Sequence, residues 1–235
     1  IPGITATSLT VKSGAKLTHP ASTATGARSL SLNVSGTLTI EDGGSIDVTG
    51  RGYPEAATYP GVTGTPAPTD SAGSHLGTGG IAGTSATTPT YGSVERPREA
   101  GSGGWNGAGM PGGGVVRVEA GTVALGGATA KIVANGAGGS WRGGAGGSIW
   151  ITAGSMTGDG LIEAAGGVSY RRGGGGAVAI EYGTVTGTVL TRVNARGGSG
   201  GGAADNGGAG TVVLKGPGST RGTLRVDNLG TTGQQ

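Results

Sequence analysis

Cysteine is absent from these 235 residues, so disulfide staples and thiolate metal sites are excluded. Phenylalanine is also missing, and only 34% of the residues are hydrophobic. No apolar run approaches the ~20 residues that a membrane-spanning helix needs, which excludes a membrane span. Charge is scarce as well: charged residues make up 12%, with a formal net charge of +3. Lysines and arginines are scattered, and no run of them resembles a nucleic-acid patch. The longest charged cluster, Glu95-Arg96-Pro97-Arg98-Glu99, cancels itself in sum. The chain begins at Ile1 without a Met or a signal-like segment, so it reads as a processed form or a piece of something longer.

Glycine fills the space these residues leave, at 58 positions. A quarter Gly is far above the ~7% of ordinary globular chains. No Gly-X-Y register persists, which rules out a collagen triple helix. Two readings remain at this level: low-complexity disorder, or a repetitive fold that uses Gly for close backbone approach.

An imperfect repeat favours the second. Four segments each carry an apolar-alternating run, a Gly near a bend, a second short run and a Gly-rich tail. Val116, Ile149, Val178 and Val212 anchor the first run; Ile132, Ile162, Val193 and Val226 anchor the second, both at a period of about 30. In a strand, residues two apart share a face. Val116/Val118, Ile149/Ile151, Val178/Ile180 and Val212/Leu214 therefore point inward, as do Ile132/Ala134, Ile162/Ala164 and Val193/Ala195. Arg117, Trp150, Glu119, Glu181 and Lys215 point outward. No single repeat can build its own core, whereas repeats stacked ~4.8 Å apart share one apolar column.

The expected fold is all-β, a parallel β-solenoid (β-helix) of about 30-residue coils with stacked glycine-rich loops. It forms one domain over 1–235, with 1–29 as a leading partial coil or cap and 53–104 as a long surface insertion. The Gly-rich stretches 101–114, 135–147, 166–176 and 197–210 recur in register, which suggests a packed layer of extended chains. Four unstructured loops are the competing view.

Larger side chains recur inside these tails: Trp105, then Trp141-Arg142, then Tyr170-Arg171-Arg172. Aligned, they make a stripe of aromatic and guanidinium faces suited to sugar rings or a neighbouring protein. Alternatively, the rings plug gaps in the Gly layer and the Arg groups satisfy bare carbonyls.

Catalytic constellations are weak, so no catalytic residue, metal ligand or cofactor is assigned. The only histidines, His19 and His75, lie in expected turns or loops, where surface or capping roles are usual. Glu119 and Glu181 fall in one outward column with Thr152 between them. Their ~9–10 Å separation is near the upper end for an inverting glycosidase pair, but no aromatic cleft frames them. The Gly-Gly-x-Gly-x-Asp repeats of calcium-bound β-rolls are absent.

The elements GSIDVTGRGYP, GSHLGTGG, YGSVERPREAGSGG, GGAGGSIWITAG and GTLRVDN resemble glycine-rich β-helical modules of very large bacterial surface or secreted proteins. The resemblance covers about residues 30–230 and implies an extracellular or cell-surface, bacterial module beside other repeats. The expected function is structural or adhesive and not enzymatic: a rigid spacer or self-associating fibre unit. Its partners are itself or neighbouring modules through the solenoid ends, with surface polysaccharide as a second candidate. Two rival functions are a carbohydrate-binding module using the aromatic/Arg stripe and a polysaccharide-cleaving β-helix enzyme.

Overall fold

The computed structural model of the protein describes residues 3–62, 70–81, 88–105 and 109–234. Thirteen strands run through them: β1 (Ile4–Ala6), β2 (Leu9–Val11), β3 (Lys16–Leu17), β4 (Ser29–Ile40), β5 (Ser45–Asp47), β6 (Val115–Leu125), β7 (Lys131–Val133), β8 (Ser148–Gly158), β9 (Leu161–Glu163), β10 (Ala177–Thr186), β11 (Val193–Asn194), β12 (Thr211–Lys215) and β13 (Thr223–Arg225). A single 3-10 turn, Val189–Arg192, precedes β11. The fold is essentially all-β.

From β4 to β12 the chain alternates between two sheets. The larger is ordered β1-β4-β6-β8-β10-β12-β13, with β2 also on β4; the smaller is ordered β11-β9-β7-β5-β3. Every strand pairing is parallel except β12–β13. Alternation fixes the register, because a slip of one residue would turn each aliphatic side chain to water.

Leu30, Val116, Ile149, Val178 and Val212 are cross-strand partners in one file of the larger sheet, and all are buried. Leu32, Val118, Ile151 and Ile180 form the next, two residues on. Ile46, Ile132, Ile162 and Val193 line the smaller sheet. All belong to one buried cluster. Each such side chain contributes about 1.5–3 kcal/mol on leaving water. The inward columns expected from the alternation are thus buried, apart from Leu214, which is partly buried at the edge of the core.

At the corner between the sheets one device recurs. Asp42 Oδ1 accepts from Thr129 N (3.0 Å) and Thr129 Oγ1 (2.6 Å), and Asp159 Oδ1 accepts from Thr188 N and Oγ1 (both 2.8 Å). These bonds hold both carboxyls below the usual aspartate range. They also tie the bend of one turn to the bend of the next.

The glycine-rich stretches form the rest of the interior through backbone hydrogen bonds. Gly113 N donates to Ala145 O (2.8 Å), Gly143 N to Arg171 O (2.8 Å), Gly146 N to Gly174 O (2.9 Å) and Gly175 N to Gly208 O (2.9 Å). A Cβ at Gly113 would strike Ala134 O and Gly147 N; one at Gly146 would strike Ala164 O and Gly176 N. Chains this close leave no room for a side chain.

Two expectations need correction. First, the stretch 53–104 is not a surface insertion throughout. Residues 71–75 are buried, and the segment threads between glycine chains: Gly73 N donates to Gly143 O, and Gly77 N to Gly175 O. Its parts 63–69 and 82–87 lie outside the described residues. The reason is that Gly and Ser are small enough to enter a web whose donors and acceptors need partners. Second, Val226 does not anchor a strand of the smaller sheet. After a Gly-Pro-Gly turn the chain doubles back, and β13 pairs antiparallel with β12. Val226 is 62% exposed. The open edge of β12 offers unpaired backbone groups, and a short hairpin reaches them first.

Candidate functional site

Of the expected aromatic/Arg stripe, Trp141-Arg142 and Tyr170-Arg171 lie side by side, whereas Trp105 falls out of register with them because Arg142 pairs with Gly109. The aligned members face different ways. Arg142 bridges in parallel fashion to Gly109 on one side and to Arg171 on the other. Arg171 N donates to Trp141 O (2.7 Å), which keeps Trp141-Arg142 alongside Tyr170-Arg171. The rings of Trp141 and Tyr170 meet edge to face, 6.0 Å between centroids. Both are exposed, at 53% and 54%, and Val168 beside them is exposed too.

The guanidiniums turn inward. Arg142 Nε donates to Asp70 Oδ1 at 2.6 Å, and Arg171 pairs with Asp70 Oδ2 at 3.3 Å. The two Arg side chains are 11% and 12% exposed. One carboxylate thus offsets two nearly buried cations, a geometry in which charge-assisted bonds are strong. The Arg171 guanidinium also lies 4.9 Å from the Tyr170 ring centroid. Arg172 donates from Nη1 to Tyr170 O (2.8 Å) and packs over Gly201. Trp105 is half-buried, donates its backbone N–H to Ser71 O (3.1 Å), and buries its indole nitrogen. Of the six stripe residues, then, Trp141 and Tyr170 present their rings to solvent, while Arg142 and Arg171 brace the layer beneath.

Asp70 had no signal of its own in the sequence. It sits in a Pro- and Thr-rich stretch more than 70 residues before its partners, and only the threading of 71–81 brings it to them.

Both histidines are buried and not surface residues, and each bonds backbone groups, as a capping residue does. His75 lies deep in the glycine web. Its Nδ1 is 2.9 Å from Gly146 O, its ring centroid is 5.1 Å from that of Tyr91, and its Nε2 is buried without a partner among the described residues. Burial pushes its pKa down to about 4. The neighbouring Ser74, Thr88 and Ser102 hydroxyls bond to one another and to backbone. His19 accepts from Val115 N through Nε2 (3.3 Å) and bonds Pro20 O through Nδ1 (2.7 Å). Packing drives both: a neutral imidazole supplies one donor and one acceptor where backbone groups need them.

Glu119, Thr152 and Glu181 do share one row. Glu119 pairs with Arg117 (3.8 Å) and Glu181 with Lys215 (3.0 Å), all on an open face. Among the described residues no three His, Asp or Glu side chains converge in a way that could hold a metal ion. Among the described residues no helix is long and apolar enough to cross a membrane. No protein-family model, no curated protein and no solved structure matches this chain.

Proposed function

We propose that the chain is one parallel β-solenoid domain acting as an extracellular structural or adhesive module of a bacterial surface, a rigid spacer that associates through its ends. The carrying observation is the in-register alternation between two parallel sheets, cross-braced by the glycine web. Successive turns share one core, so bending the domain would separate backbone bonds along its whole length. The role is mechanical and not catalytic, and it uses neighbouring modules or further copies as partners. The surface location rests on the resemblance of the repeat phrases to modules of very large surface proteins.

Electron microscopy of the purified chain over a concentration series tests the reading. Short rods that lengthen as concentration rises are expected. Compact, dispersed particles at every concentration would remove end-to-end association, and rapid proteolysis across 109–234 would remove the rigid spacer.

A second reading, carbohydrate binding, is favoured by one observation: the exposed edge-to-face pair Trp141 and Tyr170. A glycan array answers it, with hits lost in Trp141→Ala supporting a sugar platform and a blank array opposing it.

A further inference from the structure

The outer face of the larger sheet carries a cleft apart from the stripe. Ser31, Arg117, Trp150, Ala179 and Val213 form one row across five strands, a span of about 19 Å at ordinary strand spacing. The loop Ser93–Glu99 stands over this row. Its anchor is Glu99, whose carboxylate accepts from Ser93 N (3.2 Å) and Arg98 N (3.0 Å) and whose carbonyl accepts from Ser148 Oγ (2.6 Å) at the head of β8.

That arrangement undoes the charge cancellation of the cluster at 95–99. Glu99 is turned into its own loop, Pro97 is buried, and Arg96 and Arg98 are exposed. On one side of Trp150 they line, with Arg117, Ser29 and Ser31, a cleft of about 450 Å³ that no carboxylate among the described residues lines, although Arg117 also faces Glu119 at 3.8 Å. Arg96 and Trp150 also line a smaller hollow of about 80 Å³ on the other side, where Lys215 and Arg221 stand with Glu95 and Glu181. The Arg117 and Arg98 guanidiniums lie 4.6 and 5.8 Å from the Trp150 ring centroid. Stacking holds a guanidinium flat and leaves its N–H edge free for a carboxylate.

We infer that this cleft binds an acidic polysaccharide, a linear glycan bearing uronate carboxylates, laid across the strands along the row through Trp150. Arg96 and Arg98 take the carboxylates, Arg117, already facing Glu119 at 3.8 Å, is a secondary contact, and the Ser29 and Ser31 hydroxyls suit sugar hydroxyls. Trp150 already carries Arg117, so it orients the cations and does not offer a bare face for a nucleic-acid base. The small net charge of +3 likewise disfavours a general polyanion surface.

Affinity electrophoresis of the full chain tests this, with polygalacturonate or neutral dextran in the gel. Retardation by polygalacturonate and not by dextran is expected. Arg96→Gln/Arg98→Gln should weaken it about tenfold or more, because two charge-assisted contacts are lost. Both side chains are exposed, so circular dichroism should show an unchanged fold. Lys12→Gln, at an exposed pair with Glu41, and Trp141→Ala should both bind as the parent does. Four outcomes overturn the assignment: no retardation, equal retardation of the double variant, loss of binding in Trp141→Ala alone, or equally tight binding of polyglutamate or single-stranded DNA.

Discussion

The Nδ1 of His75 donates a 2.9 Å hydrogen bond to the carbonyl of Gly146, joining two glycine chains 71 residues apart in sequence. A carbonyl can only accept, so the neutral tautomer with its proton on Nδ1 is the one held. The opposite nitrogen, Nε2, has no partner among the described residues that would stabilise a second proton there.

The folded protein therefore resists protonating this ring. Its pKa falls from 6.5 to about 4 on burial, so the unfolded chain binds the proton first. Nothing is lost above pH 6.5. Between pH 6.5 and 4, stability should fall by about 3 kcal/mol. Burial lowers His19 in the same direction. The depressed Asp42 and Asp159 carboxyls add losses only as pH falls below their unfolded value near 3.8, a separate window. Urea unfolding at pH 7.5, 5.5 and 4.5 should show the decline, and His75→Asn should flatten most of it. A level profile for the parent protein would refute the buried neutral ring.

Glycine in the web is a matter of space. Gly113→Ala places a methyl against Ala134 O and Gly147 N, backbone that cannot rotate away. A cost of about 3 kcal/mol or more is expected, at the upper end for overpacking. Gly202→Ala meets nothing nearer than Asp205 Oδ2 at 3.7 Å. It should change stability by less than about 1 kcal/mol, with either sign possible through the unfolded chain. Equal midpoints in urea for the two variants would count against a close-packed web.

Asp70→Asn keeps the shape of the clamp and removes its charge. Arg142 and Arg171 are then nearly buried cations without their shared carboxylate, and a loss of about 2 kcal/mol is expected. Differential scanning calorimetry reads this directly. An unchanged melting temperature would mean that Asp70 is a bystander.

The end formed by β13 exposes Leu224, Val226 and Leu229. If copies associate there, Leu224→Lys/Val226→Lys should shift sedimentation toward single chains without altering circular dichroism. Association that survives both charges would have to use another surface.

Much of the larger sheet was legible because alternation over 10–12 residues leaves one choice of face. Val116/Val118 and Ile149/Ile151 needed no neighbour to declare themselves inward. The shorter second runs were less secure. Ile132, Ile162 and Val193 went where the pattern put them, whereas Val226, with the same local pattern, was captured by the nearer edge of β12. The stripe was legible as an alignment of Trp141 with Tyr170 and of Arg142 with Arg171. Its inward turn was not, because Asp70 carries no periodic signal. The arginines at 96 and 98 were misjudged for a related reason: summing charge along the chain cannot tell that Glu99 bonds its own loop.

Strand existence, facing and the period of the glycine tails were decided by the sequence itself, since backbone geometry forces residues two apart to one side and glycine alone permits close approach. Where 71–81 threads, what Asp70 clamps, why His75 is buried and which charges meet at Trp150 were decided only by tertiary structure. Each depends on contacts between residues far apart in the chain, and no local pattern encodes which distant backbone group will need a partner.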